Sequence, residues 1–183
     1  METKSVLLTA TAKVDATSLE VRYTASNQTD GAILLVNRVQ RWNDGGHQVY
    51  DDRFYTVVAG EDLRLTAAYL TVPDHVDVET PDMPLVTRVA PGATYTGVLR
   101  ARLPLEPYHP YPGVVRYAEQ TVTYKNVLVV IGWLPERAGR VTEKDDGEGG
   151  KHLYVDHSVA ARDQRLAIAP LSATFPTHVA PAR

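Results

Sequence analysis

The sequence predicts an all-β protein, and three observations support that prediction. Apolar and polar residues alternate with a period of two over several stretches, beginning with residues 6–14 and 19–25. Turn signals such as Pro91-Gly92 separate these stretches. Sustained apolar spacing of the i, i+3, i+4, i+7 kind, which marks an amphipathic helix, does not occur between capping signals. Many short strands without intervening helices predict a sandwich or a barrel.

The two N-terminal strands lead into a turn and then into a buried strand. The turn is residues 27–31, Asn-Gln-Thr-Asp-Gly, in which Asn, Asp and Gly tolerate positive φ. Its first three residues match the N-glycosylation sequon, which we interpret as turn chemistry because no signal-peptide pattern precedes it. Residues 32–36 are apolar at every position, and this predicts a central strand covered on both faces.

The same patterns predict the remaining elements. The most apolar segment is 127–134, in which we expect Trp133 to be a core residue. Residues 158–166 predict a short helical turn. The other predicted strands cover residues 53–58, 63–72, 85–89, 94–103, 121–124, 153–155 and 165–173.

We expect a single domain over residues 1–183, with long loops at 73–84, 105–113 and 136–151. A chain of this size buries roughly 70% of the surface that its unfolded form exposes, so it needs no disulfide, and it has no cysteine. The strand pattern resumes on both sides of each loop, which argues against a domain boundary. The polar, glycine-rich loop 136–151 predicts a long mobile hairpin loop or a locally disordered stretch.

The predicted architecture is an antiparallel β-sandwich, with a jelly roll as the alternative, because alternation alone does not separate the two. An asparagine-rich turn precedes a doubly buried strand, and a later Pro-Gly turn precedes a strand with an inward Tyr95. This layout resembles immunoglobulin-like accessory domains of bacteria, including small intracellular proteinase inhibitors of that fold. The resemblance implies an immunoglobulin-like fold and does not by itself assign a function.

Charge and hydropathy exclude several classes of protein. The formal net charge is −3 and the basic residues are scattered, so we expect no nucleic-acid partner. No apolar run approaches the roughly 20 residues of a membrane span. Without a signal-peptide pattern the expected location is cytoplasmic, with an exported mature form left open. The oligomeric state is not predicted.

The motifs of common active sites are absent. The sequence has no G-x-S-x-G, no S-x-x-K and no phosphate-binding glycine loop, and its six histidines lack H-x-H or H-x-x-x-H spacing. We therefore expect no catalytic residue, no metal and no cofactor, and predict that the protein is not an enzyme. A hydrolase with a histidine–carboxylate pair is kept as a second alternative, since such pairs form in three dimensions.

The stretch LEPYHPYPG, residues 105–113, carries the main functional hypothesis. Its prolines fix φ and favour a rigid, extended path that does not continue a sheet. Such a path would display Tyr108, His109 and Tyr111 at low entropic cost, as a contact surface requires. With Trp42 these are the predicted binding residues of a non-enzymatic accessory module that contacts a protein partner. The structural alternative is a stiff connector whose tyrosines fold onto the sheets.

A second hypothesis uses other aromatic residues. An exposed platform of Trp42, Tyr50 and Tyr55 would stack on sugar rings, which makes a carbohydrate or another small ligand the alternative partner.

Overall fold

The computed structural model describes residues 5–42, 48–77, 84–111, 113–137, 141–145 and 151–181. Within them the chain is mostly β-structure. The strands are β1 (Val6–Val14), β2 (Ser18–Asn27), β3 (Ile33–Trp42), β4 (Gln48–Asp51), β5 (Tyr55–Ala59), β6 (Asp62–Ala67), β7 (Leu85–Val89), β8 (Thr94–Arg102), β9 (Tyr117–Val122), β10 (Asn126–Pro135), β11 (Val141–Asp145), β12 (Lys151–Val155), β13 (Arg165–Pro170) and β14 (Thr177–Val179). The helix α1 covers His157–Asp163, and the Asp156 side chain caps it by accepting a hydrogen bond from the Ser158 N–H.

The strands form three sheets. A three-stranded sheet has the order β1-β2-β8, and a two-stranded sheet pairs β14 with β9. A nine-stranded sheet has the order β11-β12-β7-β3-β10-β6-β5, with β13 paired to β10 and β4 paired to β3. Among the pairings between the described strands, β6 and β10 run parallel and the others antiparallel, and outside the strands Leu105 forms an isolated parallel bridge with Thr177. The parallel pair departs from the expected all-antiparallel arrangement, and the long stretch of chain between β6 and β10 makes it possible.

Strand β10 is the hub of the nine-stranded sheet. One of its edges pairs with β13 over residues 128–133. The other edge pairs with β6 over residues 126–131 and then with β3 over residues 132–135. Almost every β10 side chain is also covered, because buried residues pack on both faces of the strand, which explains why this is the most apolar segment. Trp133 is 3% exposed, so its predicted core position is confirmed.

Buried side chains form two clusters on opposite faces of the nine-stranded sheet. The larger cluster draws on all three sheets and includes Leu19, Leu65, Leu99, Ile131 and Val179. The smaller cluster contains Leu34, Val36, Tyr69, Val86, Leu134, Val155 and Ala160. Ile33 and Leu35 of β3 belong to the larger cluster, whereas Leu34 and Val36 belong to the smaller one. The prediction of a strand covered on both faces is therefore confirmed.

The three-stranded sheet shows the predicted alternation. Leu19, Val21 and Tyr23 of β2 face the larger cluster, while the residues between them are at least partly exposed. Tyr23 pairs with Gly97 of β8, and its ring lies over the glycine so closely that a Cβ there would be 2.3 Å from Tyr23 Cζ. Glycine is required at this point by the close approach of the ring. Burial raises the pKa of the Tyr23 hydroxyl.

Most predicted strands and the predicted helical turn are confirmed. Strand β7 has the predicted bounds, and the turn predicted at 158–166 is α1. Strands β4 and β14 were not predicted, because their short, mixed sequences carry little alternation. The strand predicted over 121–124 overlaps only the last two residues of β9.

Several predicted boundaries are wrong, and two of the differences have a clear physical cause. The strand predicted over 63–72 ends at Ala67, because the Tyr69 backbone bonds to a side-chain amide instead of to another strand. The Tyr69 N–H donates to Gln164 Oε1 (2.8 Å), and Gln164 Nε2 donates to the Tyr69 carbonyl (2.9 Å). Within the loop predicted over 136–151, residues 141–145 form β11, because they gain backbone hydrogen bonds by pairing with β12.

Candidate functional site

The proline-rich segment 105–111 follows β8 and is fixed first at Leu105. The Leu105 N–H donates to the Pro176 carbonyl (3.0 Å). The Leu105 carbonyl accepts from the His178 N–H (2.8 Å) and from the Thr177 hydroxyl (2.9 Å). The Leu105 side chain is buried in the larger cluster. This end of the segment is therefore held by the C-terminal part of the chain.

Tyr108 is the second fixed point. The Thr56 N–H donates to the Tyr108 carbonyl (2.7 Å), and the Tyr108 N–H donates to Thr56 Oγ1 (2.8 Å). Thr56 belongs to β5, the last strand in the sheet order, so the segment covers part of a sheet edge. The half-buried Tyr108 ring lies 5.5 Å from the ring of Tyr55, and the Arg53 guanidinium lies 6.0 Å from its centroid.

Tyr111 is the third fixed point. Its side chain is 6% exposed, and its hydroxyl donates to the Leu70 carbonyl (3.1 Å). The expectation that Tyr111 is displayed to a partner is therefore corrected, because this tyrosine anchors the segment to the sheets.

His109 lies between two aromatic rings. Its ring centroid is 6.3 Å from that of Tyr55 and 5.8 Å from that of Tyr111. The Tyr111 N–H donates to His109 Nδ1 (3.1 Å), and the Tyr111 carbonyl oxygen lies 3.2 Å from the same nitrogen. Burial lowers the pKa of His109 below its usual value, and the nearby carbonyl opposes that shift. His109 is half-buried, not fully displayed.

The three fixed points are spaced three residues apart. A polyproline II helix has three residues per turn, so residues with this spacing lie on one side of it. Pro104, Pro107 and Pro110 repeat with the same spacing. The three-residue proline repeat is visible in the sequence. The apolar Leu105 could have indicated that residues 105, 108 and 111 form the buried side of the segment.

A cleft of about 1200 Å³ lies beside the segment. Strands β1, β2 and β8 line one part of it, and residues 52–54 and 105–108 line the rest. The apolar lining residues are Ala12, Leu19, Phe54, Ala101 and Leu105. The basic ones are Lys13, Arg22, Arg53, Arg100 and Arg102. The acidic ones are Asp15, Glu20, Asp52 and Glu106, and the cleft is completed by Thr11, Ser18 and Tyr108.

One wall of the cleft is a row of charges across the three-stranded sheet. Glu20 is the register partner of both Lys13 and Arg100, so the three side chains are cross-strand neighbours. Glu20 accepts hydrogen bonds from Arg22 (2.9 Å) and Arg100 (3.2 Å), and Arg100 also binds the Asp52 carboxylate. The hydrogen bond from Arg22, with a further contribution from Arg100, holds the pKa of Glu20 below its usual value. The acids of this wall are therefore matched by cations within the protein.

The segment 105–108 forms the other wall. Tyr108 and the exposed Glu106 line the cleft from this side, next to the exposed Arg53. Arg102 lies at the end of β8, directly before the segment, and is exposed. In the part of the chain that the structure describes, the Arg102 guanidinium makes no hydrogen bond and no ion pair. The cleft thus combines a tyrosine and apolar surface with a guanidinium that still has its donors available.

The aromatic residues of the carbohydrate hypothesis do not form the expected platform. Tyr55 is 6% exposed and packs in the larger cluster, so its expected exposure is corrected. Trp42 ends β3 and Tyr50 lies in β4, but their side chains fall outside what the structure describes. The predicted binding role of Trp42 stays a prediction.

The polar residues of the alternative enzyme hypothesis have structural roles. Asp156, His157 and Ser158 are consecutive, and Asp156 accepts hydrogen bonds from the Ser158 backbone and hydroxyl as the cap of α1. These hydrogen bonds lower the pKa of Asp156. Among the described residues no group of three or more His, Cys, Asp or Glu side chains lies close enough to hold a metal ion. Glu79 and Asp82, which follow His75 in the sequence, lie outside the described residues.

A search of the described residues for a helix long and apolar enough to cross a membrane found none. Comparisons with protein-family models, with curated proteins and with solved structures found no match to this chain.

Proposed function

We propose that this protein is a non-enzymatic binding module that holds a segment of a protein partner in the cleft beside residues 105–108. The observation that carries the proposal is the placement of Tyr108. Tyr108 lines a cleft of about 1200 Å³. Hydrogen bonds at Leu105, Tyr108 and Tyr111 fix the segment that carries it. Its accessory, adaptor or inhibitor role follows from this surface and not from any reaction.

A fixed wall favours binding because little freedom is lost when a ligand arrives. The prolines restrict the backbone of the segment, and the hydrogen bonds at Leu105, Tyr108 and Tyr111 hold it against three other parts of the chain. Tyrosine supplies a large contact area with few rotatable bonds, and it is common at binding hot spots. The apolar and charged lining suits a peptide segment, whose backbone and side chains present both kinds of group.

We also propose that the three-stranded and nine-stranded sheets pack as an immunoglobulin-like β-sandwich. Support comes from the larger cluster, which contains Leu99 of one sheet and Leu65 of the other. The alternation of β2 and β8 supplies one inward face, and β6 and β10 supply the opposite one. In such a sandwich binding loops gather at an end, and we propose the same for segments 52–54 and 105–108, which line one cleft.

Peptide selection tests the binding proposal. Short peptides from a random library are selected on the immobilised protein, and their Kd values are measured by fluorescence anisotropy. Tyr108→Ala should raise Kd about tenfold or more, because the ring would no longer line the cleft, whereas Tyr108→Phe should bind nearly as well as the wild type. Tyr117→Ala is the matched control, since Tyr117 is 58% exposed and lies outside the cleft lining.

Melting temperatures separate binding from folding in this experiment. Tyr111→Ala should lower the melting temperature strongly, because it empties a buried site, and Tyr108→Ala should lower it much less. Failure to select any peptide, or equal Kd values for Tyr108→Ala and the wild type, would contradict the proposal.

A further inference from the structure

The charges that line the cleft indicate which kind of segment it takes. On the sheet wall the acidic side chains have partners: Glu20 is bound by Arg22 and Arg100, and Asp52 is bound by Arg100. Nearby, Lys13 lies 3.7 Å from the Asp15 carboxylate. These groups neutralise one another, so they contribute little attraction for a charged ligand.

Arg102 differs from the other cations of the cleft. Its side chain is exposed, and within the described ranges no side-chain or backbone group binds its guanidinium. Its backbone is the register partner of Ser18, so the rigid end of two paired strands positions it. A guanidinium offers planar, paired N–H donors that match the two oxygens of a carboxylate.

The overall charge of the cleft lining also favours a carboxylate as ligand. Five basic residues and four acidic ones line the cleft, while the whole chain has 19 basic and 22 acidic residues. The cleft is therefore slightly positive on a protein that is negative overall. Its four carboxylates would repel a polyanion such as nucleic acid, but one carboxylate placed at Arg102 avoids most of that repulsion.

From these observations we infer that the cleft binds an acidic peptide segment, with a carboxylate of the peptide on Arg102 and its apolar or aromatic neighbour against Tyr108. The inference rests on the proposed function. The carboxylate has two sources, an Asp or Glu side chain and a free peptide C-terminus. Both offer the same pair of oxygens to the guanidinium.

A peptide array tests the inference. The array carries short peptides of graded net charge, each made with a free carboxyl and with an amidated C-terminus, and is probed with the labelled wild-type protein. We expect peptides with one acidic residue beside an apolar or aromatic one to bind more tightly than neutral or basic peptides, and further acidic residues to add little. In the strongest binders, replacement of the critical Glu by Gln should weaken binding about tenfold. Loss on amidation instead would identify the C-terminal carboxylate as the source.

Substitutions of Arg102 test whether the peptide carboxylate binds this side chain. Arg102→Gln should weaken the same peptides about tenfold, and Arg102→Lys should weaken them less, because lysine keeps the charge but not the planar donors. Arg137→Gln is the matched control, since Arg137 is exposed and is not a lining residue. Melting temperatures of all variants verify folding. If Arg102→Gln does not fold, the comparison of Arg102→Lys with the wild type tests the inference.

The possible failures are distinguishable. If neutral and basic peptides bind as tightly as acidic ones, or if Arg137→Gln weakens binding as much as Arg102→Gln, the inference is overturned and the binding module stands. If no peptide on the array binds, the proposed function falls and the inference falls with it.

Discussion

At the scale of single residues, Asn27 shows how one buried side chain joins two turns. It is 1% exposed, and its Nδ2 lies close to the carbonyl oxygens of Gly31 (2.9 Å), Ala90 (3.0 Å) and Val89 (3.1 Å). Its Oδ1 accepts from the Thr29 N–H (3.0 Å). The interpretation of the sequon as turn chemistry is confirmed, because this amide is fully engaged inside the protein.

Asn27→Ala should destabilise the fold by about 2 to 4 kcal/mol, because it leaves several buried backbone groups without a partner. The free energy of unfolding measured by urea denaturation is the test. Asn126→Ala is the control, since Asn126 is exposed at the start of β10 and should change stability by less than about 0.5 kcal/mol. Equal effects of the two substitutions would show that the hydrogen bonds of Asn27 do not hold the turns.

At the scale of elements, the segment 105–113 was predicted to be rigid and unable to continue a sheet. Its prolines support rigidity, but they do not say which side chains face the protein. That depends on long-range partners such as Thr56 and Pro176, which a local pattern does not contain. The same limit explains why the exposure of Tyr55 was predicted wrongly. Its strand-like sequence fits an exposed platform as well as a buried contact with Tyr108.

The same segment should make stability depend on pH. The pKa of His109 is lowered in the folded protein, so the unfolded chain binds a proton more readily. The stabilisation is therefore complete above the unfolded pKa of about 6.5 and is lost as pH falls through the lower, folded pKa. Among the described residues, the groups that face the imidazole are the rings of Tyr55 and Tyr111 and the Tyr111 carbonyl oxygen.

Urea denaturation between about pH 8 and about pH 5 checks this expectation. The stability difference between the wild type and His109→Gln should favour the wild type more at the higher pH. His75→Gln is the control, since His75 is exposed and lies outside the segment 105–111. A His109→Gln difference that is constant with pH would contradict the expectation.

At the scale of the whole molecule, the sequence predicted the all-β class and the central strands well. Period-two alternation directly records which side chains face a core, as in β2, and continuous apolar sequence records a strand covered on both faces, as in β3 and β10. The pairing of β6 with β10 was not predictable, because it joins segments about 60 residues apart. The cleft was missed for the same reason, since its lining comes from four separate parts of the chain.

The single-domain prediction has a direct test in cooperativity. Leu99 in the three-stranded sheet and Leu65 in the nine-stranded sheet are both fully buried in the larger cluster. Leu99→Ala and Leu65→Ala should each destabilise the fold by about 2 to 4 kcal/mol. If the sheets unfold together, each substitution shifts the urea midpoint equally by far-UV circular dichroism and by tryptophan fluorescence, to which Trp133 of the nine-stranded sheet contributes. Separate midpoints in Leu99→Ala would show that the three-stranded sheet unfolds independently.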